Sequence, residues 1–147
     1  MRVLVQRVSE ASVTVDGKVT GQIGTGLVVF AGFRHDDTKR CAEQLGAKIV
    51  GLRIFPDNEG KMNLNLQDIG GAMLIVSQFT LYADTRKGKR PSFSQAARPE
   101  VANALYSYFI EVCRGFGVPV ATGIFQAQMK VRLTNDGPVT IMCDSDD

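Results

Sequence analysis

The chain has 147 residues, of which 44% are hydrophobic, and its 17 Lys and Arg against 15 Asp and Glu leave a net charge of +2. That length suits one domain that buries roughly 70% of its unfolded surface, and the composition excludes disordered and collagen-like chains. The balanced charge excludes a histone-like coat for nucleic acid, so any nucleic-acid site must be a local patch.

The sequence indicates a single cytoplasmic domain spanning residues 1–147. No run of apolar or glycine residues is longer than that at 26–33, which is eight residues and far too short to span a bilayer. Gln6 and Arg7 interrupt the first apolar stretch, which excludes a signal peptide. The three cysteines have no close partner along the chain: Cys41, Cys113 and Cys143. This spacing argues against a disulfide framework and against a zinc site, so we expect no metal. Cys41 and Cys113 fall on apolar helical faces and are expected to be core residues.

The first part of the chain predicts antiparallel strands. Runs of β-branched residues predict strands over 3–8 and 12–15. Asp16-Gly17 favours a two-residue type I′ turn, from which a strand over 19–23 would return antiparallel. A buried apolar strand over 27–33 follows after a glycine-rich turn.

The middle of the chain predicts a helix, two strands and a loop. Four apolar residues recur at spacings of four, four and three: Cys41, Leu45, Ile49 and Leu52. That spacing predicts a helix, and Asp36 or Asp37 is expected to cap it. Strands are predicted at 53–55 and 72–79, and residues 84–98 lack periodicity and should form an exposed loop.

The last third predicts a second helix and three strands. Pro99 suits the first helical position, since its missing N–H has no intrahelical partner there, and an apolar face continues to Phe116. Strands are predicted over 118–125, 128–134 and 139–143. Together the elements predict an α+β fold, a compact and mostly antiparallel, barrel-like sheet with two helices.

The common catalytic motifs are absent. The only histidine, His35, is a possible base for Ser77 or Thr80, but it lies beside two aspartates where an exposed loop residue is commoner. Two polar segments stand out, Ser77-Gln78-Phe79-Thr80-Leu81 after an apolar strand and Asn135-Asp136-Gly137-Pro138-Val139-Thr140. Taken alone, each is compatible with a strand end or a plain turn.

Between these segments lies a basic stretch. Its cations, with one interleaved aromatic, are Arg86, Lys87, Lys89, Arg90, Phe93 and Arg98. Such a cluster suits a phosphate backbone and a stacked base, although a solvated loop has the same composition.

Together these segments resemble the D-aminoacyl-tRNA deacylases over essentially the whole chain. The matching stretches are Gln6-Arg7-Val8, 11–15, 50–55, Gly60-Lys61-Met62-Asn63, 77–81, Lys87-Gly88, Arg90-Pro91-Ser92-Phe93 and 135–140. The resemblance implies an enzyme that hydrolyses the ester between a D-amino acid, or mischarged glycine, and the 3′ end of tRNA. It also implies a β-barrel-like protomer, a homodimer and no cofactor, with tRNA and not DNA as the nucleic-acid partner.

The resemblance further assigns roles to residues. Gly137-Pro138 would carry a cis peptide bond, enter the partner protomer's site and exclude L side chains with its carbonyl oxygens. The catalytic pocket would be formed by Ser77, Gln78, Phe79 and Thr80, supported by Arg7 and Met129. Cations and one aromatic would bind tRNA: Arg86, Lys87, Lys89, Arg90 and Phe93.

Two chemical mechanisms remain open. Thr80 could attack the ester, but the sequence offers no nearby base to activate it. Alternatively, backbone N–H groups around Phe79 and Thr80 hold the carbonyl oxygen while the 2′-hydroxyl of the terminal adenosine helps to activate water. A nucleic-acid-binding module without turnover and a small-molecule esterase are the rival functions.

Overall fold

The computed structural model describes residues 1–147. In chain order the elements are β1 (Arg2–Val15), β2 (Lys18–Ile23), β3 (Gly26–Gly32), α1 (Lys39–Gly51), β4 (Phe55–Pro56), β5 (Met62–Leu64), β6 (Ala72–Ser77), a 3₁₀ turn (Phe79–Tyr82), α2 (Pro99–Gly115), β7 (Val120–Thr122) and β8 (Lys130–Asp144). The main sheet has the order β2-β1-β3-β6-β7, and β8 pairs with the other edge of β1. Strands β4 and β5 form a separate hairpin.

The main sheet is antiparallel on one side and parallel on the other. Strand β1 pairs antiparallel with β2, β3 and β8, whereas β6 runs parallel to both β3 and β7. Parallel neighbours need a long crossover connection, and α1 and α2 lie in the two crossovers. The predicted α+β, barrel-like class is confirmed; the parallel part was not foreseen.

The sheet curls until its two ends meet. Gly21 of β2 lies against Thr122 of β7, and a Cβ atom at position 21 would collide with the Thr122 carbonyl oxygen. Glycine is therefore needed for this close approach of two backbones. The contact closes most of the barrel.

Both faces of β6 are buried. Met73 and Ile75 belong to the main core, which α1 and α2 cover, while Leu74 and Val76 belong to a smaller core inside the curled sheet. This explains why β6 reads as a continuous apolar run rather than an alternating one. Phe109 of α2 is fully buried in the main core.

Several predicted boundaries are wrong. Strand β1 is continuous where two strands were predicted, because β8 pairs along nearly its whole length. For the same reason β8 is one strand rather than two. Strand β6 ends at Ser77, because the chain turns at Gln78, and β7 covers only Val120–Thr122. Strand β4 lies at Phe55–Pro56 instead of 53–55, where it pairs with β5.

The predicted cap of α1 is also wrong. The helix begins at Lys39, after Thr38, and no side chain caps it. The buried Asp37 carboxylate instead accepts a hydrogen bond from the Arg34 N–H (2.8 Å) and pairs with the Met1 ammonium group. Burial of a carboxylate requires such partners. No helix is both long and apolar enough to cross a membrane.

We predict that Tyr106→Phe destabilises the fold by about 1–2 kcal/mol, because the buried Tyr106 hydroxyl donates to the Ile75 carbonyl oxygen of β6 at 2.9 Å. Burial raises the pKa of Tyr106 to about 12, so the hydroxyl keeps its proton at neutral pH. Urea unfolding measures the loss. Tyr108→Phe, two residues along the same helix, is the matched control, because its hydroxyl bonds to Glu43 at the surface. Equal effects of the two variants would contradict this role of Tyr106.

Candidate active site

The chain reverses sharply where β6 ends. The Gln78 N–H donates to the Ala31 carbonyl oxygen of β3 (2.8 Å), which is the last sheet-like bond before the 3₁₀ turn. The first N–H groups of such a turn, those of Phe79 and Thr80, have no acceptor within it. No side chain accepts from them either. The turn thus presents two adjacent backbone donors at an exposed position.

A cleft of about 750 Å³ lies beside this turn. Its lining comes from the carboxyl ends of the parallel strands and from the segments that follow them, including Ser77, Gln78, Phe93, Ala102, Phe125 and Met129. Ligands of sheets with parallel strands commonly bind at this end of the strands. Most of the lining is hydrophobic, so the cleft suits an apolar group beside the backbone donors.

Two exposed aromatic rings form the rim of the cleft. Phe79 and Phe93 lie edge to face with ring centroids 5.1 Å apart, and they are 55% and 37% exposed. Asp84 and Ser92 exchange two backbone hydrogen bonds of 2.8 and 3.0 Å, which close the intervening loop and return the chain towards Phe79. Exposed rings at such a rim are suited to stacking a nucleobase.

The cleft offers no acid–base pair. The Thr80 hydroxyl accepts a hydrogen bond from the Gln78 amide, and no histidine, lysine or carboxylate lines the cleft. The His35 side chain is exposed, and its Nδ1 lies 3.7 Å from Oδ1 of Asp36. Burial raises the pKa of the Cys113 thiol to about 12, so this core cysteine is not a nucleophile. No cluster of three or more His, Cys, Asp or Glu side chains is placed to hold a metal ion.

The second polar segment lies within β8 and forms a bulge, a loop of four residues that departs from the β1–β8 ladder. Gln6 of β1 faces Thr140 and Val8 faces Asn135, so residues 136–139 oppose the single Arg7. The buried Arg7 side chain donates from Nε to the carbonyl oxygen of residue 136 (3.0 Å) and from Nη1 to that of residue 54 (2.5 Å). The Asn135 amide donates to the Arg7 carbonyl oxygen of β1 (2.9 Å) and to the Val139 carbonyl oxygen at the far end of the loop (3.0 Å).

Comparison with known proteins identifies the family. Residues 4–144 match the family model described as D-Tyr-tRNA(Tyr) deacylase. The chain belongs to the D-Tyr-tRNA(Tyr) deacylase family. A D-aminoacyl-tRNA deacylase of Chloroflexus aurantiacus is 59% identical, covering 99% of this chain and 91% of the relative, and one of Fervidobacterium nodosum is 58% identical, covering 99% and 97%.

Two solved structures share the fold of this deacylase-family chain. The structure of c-Myc DNA Unwinding Element Binding Protein superposes with a TM-score of 0.93 at 40% identity and covers 98% of both chains. A probable eukaryotic D-amino acid tRNA deacylase superposes with a TM-score of 0.82 at 22% identity, covering 97% of this chain and 98% of its own.

The expectation of a cis bond at Gly137-Pro138 is wrong for this structure. The chain contains no cis peptide bond, and Gly137 in the bulge has a φ of +104°, which is accessible mainly to glycine. A trans bond is the lower-energy isomer before proline by about 0.5–1 kcal/mol. The exposed Gly137 and Pro138 do not line the cleft, and neither does Arg7.

The cations of the basic segment in this deacylase-family chain have different surroundings in the structure. Arg86 forms a two-pronged pair with Asp84 (2.6 and 2.9 Å), and this hydrogen bonding lowers the pKa of Asp84 to about 2. Lys87, Lys89 and Arg90 are exposed in the loop, and none of them lines the cleft. Arg98 does line it, as do Phe125 and Gln126, which the sequence analysis did not assign to the site. No motif marked Arg98 or Gln126, and Phe125 was predicted to end a strand rather than to lie in the turn after β7.

We predict that Gly137→Ala destabilises the fold more than Gly60→Ala. Both glycines have a positive φ, +104° and +77°, so alanine is strained at either position. Only at Gly137 would the added Cβ also collide with the guanidinium of Arg7, whereas nothing lies near Gly60. We expect about 1 kcal/mol of loss at position 60 and at least twice that at position 137, measured by urea unfolding. Equal losses would show that Arg7 does not hold the loop in solution.

Proposed function

We propose that this protein hydrolyses the ester bond between a D-amino acid and the 3′ end of tRNA, releasing free tRNA and the D-amino acid. The observation that carries the proposal is the pair of backbone donors at Phe79 and Thr80 beside an apolar, aromatic-rimmed cleft, in a chain of the deacylase family. An aminoacyl-adenosine ester fits this arrangement, since one end is a base that can stack and the other an ester carbonyl. Cytoplasmic tRNA is the source of such esters.

In this mechanism the backbone supplies the main catalytic contribution. The Phe79 and Thr80 N–H groups donate to the ester carbonyl oxygen as negative charge develops on it, and each such donor is worth about 3–4 kcal/mol. The 2′-hydroxyl of the terminal adenosine helps to activate the attacking water. Ser77 and Gln78 line the pocket, whereas Thr80 lies outside its lining. The Thr80 hydroxyl accepts a hydrogen bond from the Gln78 amide, which supports a structural use of this hydroxyl in shaping the pocket.

Discrimination between D- and L-amino acids is proposed to act through Gly137 and Pro138. A pocket fitted to each side chain discriminates poorly, because one methylene is worth only about 1–3 kcal/mol. A steric block at the α-carbon acts on every L-amino acid alike, and it leaves glycine, which has no side chain, to be hydrolysed. The loop lies outside the cleft described above, which supports its use across a homodimer, in the partner's cleft. Arg7 holds the carbonyl oxygen of residue 136 in position next to Gly137.

Contact with the tRNA beyond its terminal nucleotide is assigned to the basic loop. Lys87, Lys89 and Arg90 are exposed and unpaired there, and Phe93 stands at the rim of the cleft. Arg86 contributes less free charge because it is paired with Asp84.

We predict that catalytic amounts of the protein hydrolyse D-tyrosyl-tRNA and glycyl-tRNA but spare L-tyrosyl-tRNA, with release of labelled amino acid as the readout. Cleavage of both tyrosyl esters would leave an esterase without the proposed chiral block. Cleavage of none would overturn the proposed function.

We predict that Thr80→Val retains hydrolysis within about tenfold of the wild type, because the valine keeps the backbone N–H and loses only the hydroxyl. A loss of several orders of magnitude, with rescue by Thr80→Ser and an acyl-enzyme detected by mass, would instead identify Thr80 as the nucleophile. Gln78→Ala serves as a further control, since it removes the hydrogen-bond partner of Thr80 but leaves its hydroxyl.

A nucleic-acid-binding module without turnover is the second candidate. The exposed basic loop favours it, and so does the name of the 40% identical structural neighbour. If it is correct, the protein binds duplex DNA or tRNA at low salt and hydrolyses no ester. The triple change Lys87→Ala, Lys89→Ala and Arg90→Ala would then abolish nucleic-acid binding, which is the only activity of such a module. For the deacylase, the same change weakens tRNA binding, and hydrolysis persists at saturating substrate.

A further inference from the structure

The cleft contains one charged side chain, Arg98, which comes from the segment between the basic loop and α2. We infer that Arg98 binds the 5′-phosphate of the terminal adenosine, and so positions the ester through the nucleotide rather than through the amino acid. This inference rests on the proposed function, because it takes an aminoacyl-nucleotide as the occupant of the cleft.

The backbone at Arg98 is anchored on both sides. The Ala97 N–H donates to the Phe33 carbonyl oxygen (2.9 Å), and Ala96 bridges to Arg34, which ties the segment to the end of β3. On the other side, the Arg98 carbonyl oxygen accepts from the Ala102 N–H of α2 (2.9 Å). Pro99 further restricts the residue before it to an extended conformation, as observed at φ −60° and ψ 150°. The long side chain therefore starts from a fixed point on the cleft wall.

The guanidinium of Arg98 has no partner in the protein. It forms no salt bridge, unlike Arg2 with Asp144, Arg34 with Asp36 and Asp146, and Arg86 with Asp84. No carboxylate lines the cleft to compete with an incoming anion. An unpaired arginine offers a planar fork of donors that matches two phosphate oxygens.

The aromatic rim favours phosphate over an amino-acid carboxylate as the anion. Phe93 and Arg98 belong to the same short segment, and Phe93 packs on Phe79 at the mouth of the cleft. An adenine stacked at this rim carries its phosphate at the same mouth. Every substrate of the proposed reaction has that phosphate, whereas only esters of D-aspartate and D-glutamate carry a side-chain carboxylate.

The test compares two small esters, 3′-O-D-tyrosyl-adenosine with and without a 5′-phosphate. For each enzyme we measure kcat/KM on both and take the ratio as the preference for the phosphate. We expect Arg98→Ala to lower this ratio about tenfold and Arg98→Lys to give an intermediate value, because lysine keeps the charge but not the fork. Arg40→Ala is the matched control, since Arg40 is also exposed and unpaired but lies on α1, away from the cleft.

Binding provides a readout that does not depend on turnover. We expect Arg98→Ala to weaken the binding of adenosine 5′-phosphate about tenfold relative to adenosine, and to reduce the slope of log affinity for tRNA against log salt by about 0.7. If the wild type hydrolyses no ester but Arg98→Ala still weakens the binding of adenosine 5′-phosphate relative to adenosine, the proposed function is wrong. The contact between Arg98 and the phosphate is then still supported.

Two results would overturn the inference. In one, Arg98→Ala lowers kcat/KM equally for the phosphorylated and unphosphorylated esters, or changes kcat/KM for neither. In the other, its effect appears only with D-aspartyl esters and independently of the phosphate, which would place Arg98 against the amino-acid side chain. In either case the hydrolysis of D-tyrosyl-tRNA by the wild type would leave the proposed function intact.

Discussion

The pairing of β1 on both of its edges constrains the rest of the structure. Strand β3 fixes the register of residues 2–8 on one edge, so extra residues in β8 on the other edge cannot be absorbed by a shift. Four residues of β8, 136–139, stand opposite the single Arg7, so three of them are extra and bulge out of the β1–β8 ladder. In the alternation of β1, Arg7 follows Val3 and Val5 on an inward position, and a buried charge must be satisfied. The carbonyl oxygens of residues 54 and 136 supply its partners, which couples the loop to the body of the fold.

The parallel part of the sheet determines where the cleft forms. Because β3, β6 and β7 run in the same direction, their carboxyl ends meet at one edge, and the connections that follow them surround a single depression. Strand β6 is buried on both faces, so polar groups can appear only where it ends, at Ser77 and Gln78. The two backbone donors are thereby placed next to a strand that is buried on both faces.

Local sequence patterns predicted the helices, most strand positions and the exposed basic loop, because periodicity and turn chemistry act over a few residues. These patterns did not predict which strands pair with each other. The continuity of β1 and β8 depends on contacts between the two ends of the chain, and Ser9 and Glu10 look like a break until β8 is placed beside them. The site shows the same limit. Ser77 to Thr80 stood out as polar residues after an apolar strand, whereas the contribution of Arg98 and Phe125 depends on where loops without periodicity come to lie.

A site built mainly from backbone groups is consistent with the task proposed for it. An enzyme that removes many different amino acids from tRNA must recognise what all its substrates share: the ester carbonyl, the configuration at the α-carbon and the terminal nucleotide. In the proposed mechanism, backbone N–H groups address the first, and the loop at Gly137-Pro138 addresses the second by occupying space. The aromatic rim and the unpaired Arg98 are proposed to address the third. The amino-acid side chain is left with a cleft that is largely apolar and carries no carboxylate, which is where selectivity among substrates would otherwise arise.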